Sequence, residues 1–255
     1  MVENVLNIIP VYVLVLFRIA GMMIYAPLLG SDRIPHRIKA MIASVLAMAI
    51  APGITARVQL PSAPWDLAVA IGGEIVFGLA MGMIVAFVFI AAQWAGEIIG
   101  QQMGLNLGQT FDPQFGSQGS MIGDAYFFLC LIIFLSLNGH QAMLRGVQQS
   151  FATFPLLSVG MSHNLMNLLV GLFESATVMA MQLAAPVMVT MLVVDLILGF
   201  VGKTVPQLNI MSAGISLRSL IGLVVLIIGL GLTSSVISDA LWQSMKAAYA
   251  GYTLH

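Results

Sequence analysis

The chain has 255 residues, 60% of them hydrophobic and 7% charged, with a mean hydropathy of +1.02, whereas soluble domains carry about 25% charged residues. Water is not its main solvent. A net charge of -1, with nine Lys and Arg scattered along the sequence, leaves no basic surface for nucleic acid, and one cysteine allows neither an internal disulfide nor a cysteine metal site.

The first apolar stretch follows Glu3 and Asn4 without the positive flank of a secretory signal, so it is expected to belong to the mature protein. Spanning helices need about 20 apolar residues, and six candidate windows appear along the chain. The first covers residues 5–30 and encloses Arg18; the second, residues 40–56, is broken by Pro52 and Gly53. The third covers 67–94 and encloses Glu74. The fourth, 125–144, contains Cys130 and is expected to end its helix near Leu137, where Asn138, Gly139 and His140 follow. The fifth lies between Glu174 and Asp195 and carries Pro186; the sixth lies between Arg218 and Asp239. Connectors are short and hold breakers at 32–35, 61–64, 138–139 and 205–209, so no large soluble domain is expected. Six alternating spans would put Arg33, Arg37, Lys39, Lys203 and Arg218 on one side and Arg57, Arg145 and Lys246 on the other, a slight bias toward an outside N-terminus. Short or broken spans and weak charge asymmetry suggest that protein partners supply much of the helices' surroundings.

Small residues recur every four positions at Ala92, Gly96, Gly100, Gly104 and Gly108, a row that lets another backbone approach closely. Glycine in a helix interior costs about 1 kcal/mol against alanine, so the row needs a packing reason. It fits an internal helix pair or a contact between subunits. The polar, glycine-rich stretch 105–123 follows. Asp112 before Pro113 leaves the helical region, and Gly116 and Gly119 keep the backbone pliable. Irregular backbone at membrane depth survives only when sheltered by protein or lining a wet cavity. With Phe111 and Phe115 as bulk, the stretch reads as a removable pore plug or as an extramembrane connector.

Arg18, Glu74, Glu97, Asp124, Glu174 and Asp195 are ionisable groups in apolar runs, each needing a partner, water or another chain. They are structural pairs or pore and proton-relay groups, and spacing alone does not pair them. The 18 methionines include Met41 and Met48, seven apart, and Met179, Met181, Met188 and Met191 in the fifth window, suited to irregular cores or to sealing around variable cargo. No phosphate-binding loop, paired-histidine zinc motif or nucleophile elbow is present, so enzymatic chemistry has no visible home and no cofactor or metal is expected. An ion-coupled small-molecule transporter, a rival reading, should show corresponding interrupted spans in two halves, and none is found.

Three stretches together resemble the FliR family, including its virulence-system relatives. The first holds Arg18, Gly21, Pro27, Leu28, Leu29, Ile34, Pro35, Arg37, Lys39 and Pro52; the second holds Gly96, Glu97, Gly100, Gln102, Met103, Gly104, Phe111, Asp112 and Pro113. The third holds Lys203, Val205, Pro206, Gln207 and Asn209, with Lys203 where the family often has arginine. The resemblance implies an all-α membrane-complex protein of helical hairpins with a glycine-rich central loop. It implies one export-gate subunit over 1–255, FliP-like over 1–170 and FliQ-like over 171–255. By that analogy a hairpin covers 175–238 and turns at Lys203, Pro206 and Gln207. It further implies a pore-forming part in flagellar type III export, passing unfolded flagellar subunits across the bacterial inner membrane at the basal body. FliP-like, FliQ-like, FlhB-like and FlhA-like partners follow, with the equivalent virulence-system subunit as the alternative. In that family the assembled gate sits largely above the hydrocarbon layer, which would account for the poor spans.

Overall fold

The computed structural model describes residues 2–31, 34–54, 63–105, 120–157, 163–204 and 210–249. These residues form seven helices: α1 (Val2–Tyr25), α2 (His36–Ile50), α3 (Pro64–Gln102), α4 (Met121–Ser136), α5 (Gly139–Thr153), α6 (His163–Thr204) and α7 (Ile210–Tyr249). Among the described residues there is no strand, and the all-α expectation holds.

Local chemistry sets most boundaries. Pro64 opens α3, where a missing N–H costs nothing. Asn138, in the left-handed region at φ 54°, separates α4 from α5. That is the break expected beside Leu137. Two windows need correction. The second is the 15-residue α2, which closes in a single 3-10 turn at Ala51–Gly53 and is too short to span. The third extends to 39 residues in α3. The fifth and sixth lie inside α6 and α7, which run on through Glu174, Asp195, Arg218 and Asp239. A helix satisfies its backbone internally whatever the side chain, so a charge does not by itself end it.

The chain divides into two compact units, interleaved in sequence: Met1–Phe87 with Leu137–Phe173 and Leu241–His255, and Val88–Ser136 with Glu174–Ala240. In the first unit α1 buries Val11, Leu14, Val15, Arg18, Ile19 and Met22, a stripe at helical period. α2 turns Ala43 and Ala47 inward, and Tyr12 bonds Ser44 at 2.7 Å. In the second unit α4 buries Gly123, Tyr126, Cys130 and Phe134. There α6 buries Ala176, Met179, Ala180, Leu183, Ala184 and Val187. Asp195 meets Arg218, and Leu198 meets Gly214. These pairs set α6 antiparallel to α7 in a register symmetric about position 206.

Candidate functional site

The densest polar site lies inside the first unit. Arg18 and Glu74 have fully buried side chains, 56 positions apart in sequence, with Arg18 Nε donating to Glu74 Oε2 at 2.6 Å. The second carboxylate oxygen accepts the backbone N–H of Leu157 at 3.1 Å. Arg18 Nη1 donates to Ser150 Oγ at 3.1 Å and to the Phe154 carbonyl at 3.2 Å. Nη2 has no hydrogen-bond acceptor. The guanidinium instead lies between aromatic faces, 4.7 Å from the Phe77 centroid and 4.3 Å from that of Phe151. α1, α3, α5 and the segment after α5 are thus tied at one point. A carboxylate and a guanidinium removed from solvent are tolerable only with such additional bonds.

Close backbone approach surrounds this knot. A Cβ on Gly78 would collide with the Arg18 carbonyl and Met22 N; one on Gly82 would lie 2.5 Å from the Met22 carbonyl, and one on Gly21 would strike the Ile75 carbonyl. α1 and α3 therefore cross through glycines, and Arg18 reaches Glu74 because the axes are close. Sequence reading missed Gly78 and Gly82, although their spacing of four is the signal it used farther along α3.

In the second unit Gly96 makes the equivalent contact with α4: a Cβ there would lie 2.5 Å from Gly123 Cα and 2.6 Å from the Ile122 carbonyl. Gly100 is buried. The row then ends, and Gly104 is corrected from a helix-face residue to a helix cap. Its φ is 75°, Leu105 N bonds the Gly100 carbonyl at 3.0 Å, and Gly104 N bonds the Gln101 carbonyl at 3.0 Å. That pattern is a Schellman termination, which needs a left-handed residue and so favours glycine. Gly108 lies outside the described residues.

Both ends of the central loop are anchored in this unit. Before it, Ser219 on α7 donates to the Met103 carbonyl at 3.0 Å, and Gly222 leaves room for the Met103 side chain. After it, Ser120 donates to the Gly96 carbonyl at 3.4 Å. The predicted plug residues Phe111, Asp112, Pro113, Phe115, Gly116 and Gly119 lie outside the described residues, as do Pro206 and Gln207 of the predicted turn. Lys203 is exposed near the end of α6. Asp195 pairs with Arg218 at 2.5 Å, with 42% and 37% of their side chains exposed. Glu97 is half-buried beside a cavity between α3 and α6. The buried charges therefore do not form one site.

Three helical stretches are long and apolar enough to cross a membrane: Pro64–Gln102, Val170–Thr204 and Gly214–Lys246. The bent pair Met121–Ser136 and Gly139–Thr153 could supply a fourth. This defines an all-helical membrane protein held by glycine seams and a buried ion pair. Residues 9–244 match the family described as bacterial export proteins, family 1, and the chain belongs to that family. It is similar to the flagellar biosynthetic protein FliR of Bacillus subtilis (strain 168), 30% identical over 234 residues, 89% of this chain and 88% of the relative. It is likewise similar to FliR of Aquifex aeolicus (strain VF5), 28% identical over 88% of this chain and 86% of the relative. FliR of Escherichia coli (strain K12) is 29% identical over 87% and 84% respectively. The resemblance read from the three motif stretches is confirmed.

Proposed function

We propose that the chain is a structural, pore-forming subunit of the flagellar type III export gate, passing unfolded flagellar subunits across the bacterial inner membrane at the basal body. Its partners are FliP-like and FliQ-like gate subunits, with FlhB-like and FlhA-like export components nearby. The part over 1–170 acts as the FliP-like portion and 171–255 as the FliQ-like hairpin. Relatives named for flagellar biosynthesis favour flagellar over virulence cargo. Open helix faces support a multi-chain setting: the most apolar window of Pro64–Gln102 is 67% buried, against 22% and 17% for Val170–Thr204 and Gly214–Lys246.

The observation that carries the pore reading is where the central loop begins and ends. Leu105 and Ser120 both attach to the last turns of α3, between Gly96 and the cap at Gly104. Eight residues of helix are roughly 12 Å, a gap that about four extended residues bridge. The segment 106–119 is far longer than a connector needs. We assign it to an excursion into the pore, where Phe111 and Phe115 block ion flow and Gly116 and Gly119 let them move aside. Deleting residues 109–118, or changing both phenylalanines to alanine, is expected to leave assembly intact and raise small-ion conductance of the cell membrane. Normal assembly with unchanged conductance would reduce the loop to a connector.

A further inference from the structure

We propose that the groove around Glu97, between α3 and α6, receives a lysine or arginine side chain from a neighbouring subunit of the export apparatus. This inference rests on the gate reading above. Trp94, Glu97 and Gln101 recur at three and four residues on α3, and Thr177, Ala180 and Met181 face them from α6; together they line a cavity of about 170 Å³. That is room for several waters or for the end of one long side chain.

The charge in this groove is unbalanced. Glu97 takes part in neither ion pair among the described residues. Within its own unit the described cations are Arg218, already held by Asp195 at 2.5 Å, and Lys203. Lys203 lies 22 positions beyond Met181 on the same helix, roughly 33 Å at 1.5 Å per residue. Neither reaches Glu97. A carboxylate on a helix this apolar is costly without a counter-charge, and neither described cation of its own unit supplies one.

The lining selects the kind of cation. A carboxylate beside an indole offers a charge-assisted hydrogen bond together with a cation–π face, which suits ammonium or guanidinium. A hard divalent ion needs six or more oxygen ligands, and no cluster of three or more His, Cys, Asp or Glu that could hold a metal exists among the described residues. Glu97 repels anions. A groove that grips a basic head would also retard a moving polypeptide, since conduction requires weak, transient sites. A fixed neighbour is therefore the occupant.

The test uses the full-length tagged chain in its native bacterium, extracted in mild detergent, with co-recovered chains quantified and flagellar subunit export measured. The unmodified chain should bring its neighbours down. Glu97→Gln should lower their recovery at least threefold, and Glu97→Arg at least tenfold. Met181→Lys, on the groove's exposed rim, gives Glu97 an ammonium from its own chain and should displace the neighbour with a similar tenfold loss. Suppressors of Glu97→Arg should change a Lys or Arg to an acidic residue in another subunit. Full recovery with Glu97→Gln and Met181→Lys overturns the proposal, as do suppressors confined to this chain. If Glu97→Arg fails to accumulate, those two milder variants decide the outcome alone. An unmodified chain recovered without neighbours instead overturns the gate reading and this inference with it.

Discussion

Arg18 with Glu74 and Arg218 with Asp195 meet at nearly the same distance, 2.6 and 2.5 Å, yet the first pair has no exposed side-chain surface and the second is 37% and 42% exposed. Surroundings and not geometry separate them. In the first unit the ions are enclosed by Phe77 and Phe151 and bound to Ser150, Phe154 and Leu157, so each group depends on every other. In the second unit the pair sits on the open side of a two-helix hairpin among exposed Leu192, Leu196, Phe200 and Leu220. One region is specified from within the chain; the other leaves its outer side to whatever surrounds it.

The largest expected effect follows from enclosure. Glu74→Ala leaves the Arg18 guanidinium without its counter-charge and frees the Leu157 N–H, and breaking a buried pair from one side costs about 3–5 kcal/mol. The chain should lose resistance to limited proteolysis in detergent, and its unfolding midpoint should fall. Replacing both partners, Arg18→Met with Glu74→Leu, should recover much of that loss because no charge remains stranded. A single Glu74→Ala variant as protease-resistant as the parent would show that the two ion pairs do not differ in the way described.

The glycines give a second, intermediate contrast. Gly78→Ala and Gly96→Ala place a methyl against backbone atoms, those of Arg18 and Met22 in one case and of Ile122 and Gly123 in the other. Overpacking of this kind costs about 1–3 kcal/mol. Gly229 and Gly231 on α7 have nothing within 4 Å of an added Cβ. There alanine removes the helix penalty of glycine and should raise stability by about 0.5–1 kcal/mol. Unfolding midpoints of the four variants should therefore move in opposite directions. A common sign would mean that the α1–α3 and α3–α4 crossings are looser than they stand.

Which parts of this were legible in sequence follows the range of the forces involved. Local signals worked: Asn138 breaks the helix after Ser136, Pro64 starts α3, and the third, fifth and sixth apolar windows lie within single helices. Gly104 misled, because glycine at a four-residue spacing reads equally as a packing row and as the left-handed residue that ends a helix. Arg18 was visible as a suspect, but its partners lie 56, 132 and 136 positions away. No periodicity carries such a pairing. Gly78 and Gly82 could have been found with the rule already applied to Gly96 and Gly100.

The smallest expected effect is also the one that probes what lies outside the chain. Asp195→Asn removes one partner of the exposed pair, and exposed ion pairs contribute roughly 0–1 kcal/mol because both ions remain hydrated when separated. In the detergent-extracted, isolated chain the unfolding midpoint should barely shift, and raising the salt concentration should erase even that difference by screening. Within an assembled complex or a lipid layer the same substitution meets a different balance, because an unpaired arginine beside hydrocarbon or a partner's apolar face is no longer hydrated at little cost. Comparing Asp195→Asn in the isolated chain with the same variant recovered alongside its neighbours therefore reads the solvent of this hairpin directly. Equal, small effects in both settings would mean that the pair faces water throughout. A loss above about 2 kcal/mol in the isolated chain, beyond the range of an exposed pair, would mean that the Asp195–Arg218 contact holds the α6–α7 register and is closer in kind to Arg18–Glu74 than its exposure indicates.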